Sequence, residues 1–162
     1  MEPRIEVLSP KKLVGFGQLM SLANDSTAEL WQSLMPRRHE IRNRTTDSYI
    51  SMRVYLEPGM MADETEMFAP ATQLEKWAAV EVTDHDTIPP GMQRYALAGG
   101  LYAVFLHKGP ASGFVQTMRH IFGTWLPNTG YELDDREHFE LIPEGWSPTD
   151  LQAKEEIWVP IR

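Results

Sequence analysis

The chain contains no cysteine, which excludes disulfides, thiolate metal sites and cysteine nucleophiles together. No apolar run approaches the roughly 18 residues that a membrane-crossing helix needs, and Met1-Glu2-Pro3-Arg4 opens no signal-peptide core. A cytoplasmic location is the expectation from these absences. Positive charge is scarce as well: 15 Lys and Arg against 23 Asp and Glu leave a net charge of −8. That argues against a nucleic-acid surface, because phosphate binding needs a concentrated basic face. The one basic cluster, Arg37-Arg38 with Arg42 and Arg44, is interleaved with Glu40 and Asp47 and reads as a solvated helix end. No Gly-x-Ser-x-Gly elbow, no phosphate-cradling glycine loop and no His-x-x-x-His pair occurs. Asp84-His85-Asp86 offers three ligand types, but neighbours in sequence point apart, so a turn is the expectation. No metal and no cofactor is expected.

What is present is a chain of 162 residues with 42% hydrophobic content, enough for one core or for two small halves sharing one. The most informative stretch runs from Gly99 to Ile142. Leu101 to His107 reads as a strand, and Gly109-Pro110 ends it. Phe114, Met118, Ile121, Phe122 and Trp125 then recur at helical spacing until Pro127. Strand alternation resumes at His138-Phe139-Glu140-Leu141-Ile142, with Glu140 as a carboxylate among apolar neighbours.

The first half has the same order. Arg4 to Leu8 and Lys12 to Leu19 read as strands able to form a hairpin through Ser9-Pro10. Ser26 and Glu29 have capping-box spacing before Leu30, Trp31, Leu34 and Met35, which predicts a helix over 26–36. Tyr49 to Leu56 alternates, Glu57-Pro58-Gly59 ends it, a loop without clear period follows to Thr72, and Trp77 to Val82 is again strand-like. The expectation is α+β: one domain over 1–162, with two pseudo-symmetric strand-helix-strand-strand modules over about 1–83 and 91–162.

The run GGLYAVFLHKG, then TWLPNTGY, then HFE and a terminal EEIWVPI resembles the GyrI-like effector-binding family, the small-molecule-binding domain of AraC-type and MerR-type transcription regulators. The segments from Met35 to Tyr49 and from Glu75 to Val82 resemble its stand-alone members. The resemblance implies two strand-helix-strand-strand modules with antiparallel sheets and both helices on the same side, a ligand groove between the modules, and Glu140 as the carboxylate that meets the ligand. Many members carry tyrosine two residues after this glutamate, where this chain has Ile142.

Alternation points to a similar site. With Phe139 and Leu141 facing the core under the helices, His138, Glu140 and Ile142 take the open face, as do Tyr49, Ser51, Arg53 and Tyr55. Trp77 and Trp158 alternate out of phase with the apolar sets Ala78/Val80/Val82 and Ile157/Val159/Ile161. The candidate ligand-binding residues are therefore Glu140, Tyr55, Trp77, Tyr102, Trp125, Trp158, Ile142 and Arg53. Such rings around a carboxylate suit an amphipathic cation. Each tryptophan competes with an assignment to the core, Tyr102 sits on a strand apolar on both faces, and Arg53 competes as an ion-pair partner of Glu140 or Glu81. Two classes of function stand: a non-catalytic binder of amphipathic, cationic aromatic small molecules, working on other molecules through a protein partner, and a hydrolase of reactive small molecules using Glu140 and Tyr55. Gyrase modulation, after which the family is named, is a third. The fold leaves no chain for a fused DNA-binding domain, so direct nucleic-acid contact is not expected.

Overall fold

The computed structural model describes residues 1–56 and 68–162; the turn expected at Glu57-Pro58-Gly59 and most of the loop after it lie outside these. Eight strands are described: β1 Arg4–Leu8, β2 Lys11–Met20, β3 Tyr49–Tyr55, β4 Leu74–Val82, β5 Gln93–Leu97, β6 Gly100–Lys108, β7 His138–Ile142 and β8 Lys154–Pro160. Among the described residues two α-helices join them, α1 Thr27–Leu34 and α2 Phe114–His120; a 3-10 segment Met35–Glu40 extends α1, and a wide turn Ile121–Trp125 extends α2.

All the pairings are antiparallel and form one sheet in the order β1-β6-β8-β7-β3-β4-β2-β5. Read outward from its centre, the order is symmetric: β7 matches β3, β8 matches β4, β6 matches β2 and β1 matches β5. The fold is thus α+β with two strand-helix-strand-strand modules, β2-α1-β3-β4 and β6-α2-β7-β8, joined through β3 and β7.

The hairpin expected through Ser9-Pro10 does not form. β1 pairs with β6, while β5, which leads into the second module, pairs with β2, so each half of the chain supplies an edge strand to the other half's sheet. Only two residues separate β1 from β2, and two separate β5 from β6. Such short connections bring the ends of the sheet together, and the sheet must curl. The two connections touch where they cross. Gly99 sits there at φ +83°, and a Cβ on it would stand 2.3 Å from the Leu8 carbonyl oxygen, so both its conformation and the contact require glycine.

Curling gives the sheet a buried inner face as well as a helix-covered outer one. The inner core holds Leu13, Met52, Trp77, Tyr102, Phe139 and Trp158, drawn from both modules. On the outer face, α1 buries Leu30 and Leu34 against Val14, Ala78 and Val80, and α2 with its extension buries Met118, Ile121 and Phe122 against Phe105 and Ile157. Apolar side chains of this size contribute roughly 1.5–3 kcal/mol each when fully buried. The capping box is not made: Ser26 Oγ has no partner, and Asp25 Oδ1 instead accepts a hydrogen bond from the Thr27 N–H at 2.8 Å.

Candidate functional site

The two helices stand on the same face and leave a groove between them, floored by β3 and β7. Register fixes what the floor presents. Ser51 lies opposite Glu140, Arg53 opposite His138 and also opposite Lys76, and Tyr55 opposite Leu74. Tyr49, Ser51, Arg53 and Tyr55 therefore share the groove face with His138, Glu140 and Ile142, which is the set that alternation predicted.

Phe139 and Leu141, however, turn to the inner face of the curled sheet and not to the core under the helices. Trp77 lies opposite Met52 and Gly17, with its ring where a Cβ on Gly17 would be, 2.3 Å away. Trp158 stacks on Phe139 at 5.2 Å, and Tyr102 packs edge-on to both. The Tyr102 hydroxyl donates to the Glu137 carbonyl at 2.9 Å. The structure does not bring Trp77, Tyr102 or Trp158 to Glu140. Trp125 closes the outer core beside Phe105, 5.1 Å between ring centroids. Of the eight candidates, Arg53 and Tyr55 line one cavity of the groove and Ile142 the other, while Glu140 shares their face of the sheet but is buried and lines neither.

At the centre of that floor Arg53 Nη2 donates to Glu140 Oε2 at 3.2 Å, so the carboxylate has a basic partner. The Glu140 side chain is buried and that of Arg53 is 13% exposed, which makes the pair costly to break on one side only. Around them sit three more buried ionisable groups. Lys76 is pushed down to about 8, first by burial, and Glu155 is pushed up to about 7, again first by burial. His138 is held well below the usual histidine value by burial and by the charges of Arg53 and Arg136, and is neutral at pH 7. Burial also raises the Tyr55 hydroxyl, and its ring meets the His138 ring edge-on at 5.8 Å. Lys76 and Glu155 escaped sequence reasoning, although the signal that exposed Glu140 was present for both: Lys76 shares the phase of Leu74, Ala78 and Val80, and Glu155 that of Ile157 and Val159.

The groove opens into two cavities. One, of about 570 Å³, is lined by Met20, Leu74, Phe114 and Met118 together with Arg53, Tyr55, Lys76 and Arg119. The other, of about 410 Å³, is lined by Trp31, Met35, Tyr49, Ser51, Ile142, Glu144 and Trp146. Thr27 lines both, so they are neighbouring parts of one groove. In the second cavity Trp31 meets Tyr49 edge-on at 6.1 Å, and the Tyr49 hydroxyl donates to the Glu144 carboxylate. Tyr49 was expected on this face, whereas Trp31 and Trp146 were missed because Trp31 reads as part of a helical core stripe and Trp146 lies in a loop without period.

Among the described residues no group of three or more His, Asp or Glu side chains is placed to hold a metal ion. His85 Nε2 meets the Leu13 carbonyl oxygen at 2.9 Å, and Asp84 Oδ1 accepts from the Asp86 N–H at 3.0 Å, which is the expected turn. No helix of the described residues is long and apolar enough to cross a membrane.

The profile of the GyrI-like small molecule binding domain matches residues 1–162. The chain is 27% identical over 162 residues to the transcriptional regulator BrlR of Pseudomonas aeruginosa, covering 99% of this chain and 56% of BrlR. It thus spans little more than half the length of that regulator. Among solved structures, SAV2435 bound to tetraphenylphosphonium superposes with a TM-score of 0.76 at 18% identity, covering 100% of this chain and 94% of the other. A putative transcription regulation protein from Staphylococcus aureus MU50 gives 0.71 at 19% identity, covering 100% and 99%. At these identities the structural likeness concerns the fold.

Proposed function

Since the chain belongs to the GyrI-like small-molecule-binding family, we propose that its ligand site is the groove between α1 and α2, and that it binds an amphipathic aromatic cation there without turnover. The observation that carries this reading is the convergence, within one cavity, of Trp31, Tyr49 and Trp146 with the Glu144 carboxylate, beside a floor on which Ser51 is the register partner of Glu140. Rings supply stacking and cation–π attraction, and a carboxylate at low dielectric neutralises the charge. That a fold neighbour was solved with tetraphenylphosphonium supports the ligand class.

Glu140 enters at a cost, because Arg53 already occupies one of its oxygens. A cation near it shares the carboxylate with Arg53, so affinity depends on the second oxygen. Equilibrium binding of tetraphenylphosphonium, followed by tryptophan fluorescence, tests the assignment. Glu140→Gln is expected to weaken it about 10-fold, the loss of roughly one charge-assisted contact; unchanged affinity overturns the role given to Glu140.

The hydrolytic reading assigns Glu140 and Tyr55 as acid–base groups. Burial raises the Tyr55 hydroxyl, so it holds its proton at neutral pH, as a hydrogen-bond donor to a ligand and a general acid both require. Tyr55→Phe is the discriminating variant. A change in affinity on the order of 1 kcal/mol is expected for a binder, whereas a turnover loss of about 100-fold with affinity retained is what an enzyme requires. Regulatory output from the groove passes through a partner protein or a further segment.

A further inference from the structure

The cavity of about 570 Å³ differs in charge from its neighbour. Its walls are apolar side chains of Met20, Leu74, Phe114 and Met118, yet among the described residues three cations line it, Arg53, Lys76 and Arg119, against one acid, Asp25. The innermost is Lys76. It is only 8% exposed, and among the described residues it makes no hydrogen bond or ion pair. Its Nζ is not among the buried polar atoms that lack a partner, so the ammonium reaches the cavity and is free to meet a ligand there. Arg53 donates once, to Glu140, and its Nε has no partner.

We infer that this end of the groove is an anion-accepting subsite, and that it selects amphiphiles carrying a carboxylate or similar monoanion on an apolar body. The apolar body lies against Met20, Leu74, Phe114 and Met118, and the anion sits at Lys76 with Arg53 behind it. The inference rests on the groove being the ligand site, and it adds an opposite charge preference at the end away from Trp31 and Trp146.

The charge balance inside supports it. The groups that act on Lys76 are Glu140 on β7, Glu155 on β8, Asp25 before α1 and Arg53 on β3. Glu140 is engaged by Arg53. Glu155 is pushed up to about 7 by burial, so part of it is uncharged near neutrality. Asp25 accepts from the Thr27 N–H at the head of α1. His138 and Tyr55 are neutral at pH 7. Lys76, pushed down to about 8, still carries its proton at pH 7. The chain as a whole is acidic at −8, but screening confines that field to about 8 Å at physiological salt, and the contact charges decide the affinity.

The test uses three probes with one ring system and different heads: 2-naphthylacetate, 2-(2-naphthyl)ethanol and 2-(2-naphthyl)ethylammonium, measured by calorimetry at pH 7. The carboxylate is expected to bind at least 10-fold more tightly than the alcohol. Lys76→Met is expected to bring the carboxylate and alcohol affinities together, and Lys76→Arg to retain most of the preference. On the unmodified protein, the preference is expected to shrink at pH 9.5 as Lys76 loses its proton, which gives a readout free of any folding defect in a variant. Equal affinity for carboxylate and alcohol, or a preference untouched by Lys76→Met, overturns the anion subsite and leaves the groove standing. Failure of all three probes to bind overturns the groove reading and the subsite together.

Discussion

The two ends of the groove are built from corresponding parts of the repeated module, and they carry opposite chemistry. At one end the C-terminal end of β3 and the start of β4 face α2, and the side chains are Arg53, Lys76 and Tyr55. At the other the end of β7 and the turn after it face α1, and the side chains are Trp31, Tyr49, Trp146 and Glu144. Backbone symmetry therefore places two cavities, and it does not choose their ligands. The choice lies in single positions: Lys76 on a strand whose other residues of its phase are apolar at one end, and Trp31 on α1 with Glu144 and Trp146 in the turn after β7 at the other.

If the basic end depends on one buried ion pair, breaking that pair has the largest effect. Arg53→Met leaves Glu140 buried and unpaired, and a loss of about 3–5 kcal/mol is expected in urea denaturation. Adding Glu140→Gln to Arg53→Met is expected to recover much of it, since removing both charges removes the desolvation cost. A loss below about 1 kcal/mol for Arg53→Met would mean that the groove floor is open to water.

The same end should dominate the pH dependence of stability. Glu155 is raised in the folded state, so its contribution is fully present below its unfolded value and is lost as pH rises through about 7. Lys76 is lowered, so the folded state gives up its proton before the unfolded state does, and stability is regained as pH rises above about 8. Together they predict a dip in stability between about pH 7 and 8, on the order of 3 kcal/mol deep. Glu155→Gln is expected to flatten the acid limb and Lys76→Met the basic limb; a monotonic profile that neither variant alters contradicts the burial of this pair.

The halves also differ where their edge strands cross. Pro10 stands in one connection and Gly99 in the other, with Gly99 at positive φ against the Leu8 carbonyl. Gly99→Ala is expected to cost about 2 kcal/mol or more through clash and strain together. At the aromatic end the expected effect is smallest: Tyr49→Phe removes the hydroxyl bond to Glu144 and should cost about 1 kcal/mol of stability.

Element order was legible in the sequence because periodicity changes cleanly at Gly109-Pro110 and Pro127, and because Glu140 interrupts an apolar strand. The exchange of β1 and β5 was not, since a proline-containing two-residue link reads locally as a hairpin turn and nothing in it records which strand it pairs with. The same gap misplaced Trp77 and Trp158. A residue out of phase with the helix-covered side was taken to face a groove, but curling buries that side too, and the groove lies between the helices on the other. The Arg53–Glu140 pair was open from sequence as one of two choices, and register across β3 and β7 decides it.

The central claim, that ligand enters the helix-side groove and not the inner face, has a direct test in the five tryptophans. Their indole N–H signals in a nitrogen–proton correlation spectrum report on both faces during a titration with tetraphenylphosphonium. The account predicts that the Trp31 and Trp146 signals move first and furthest while Trp77 and Trp158 stay in place. Early movement of Trp77 and Trp158 with Trp31 and Trp146 unchanged would contradict it.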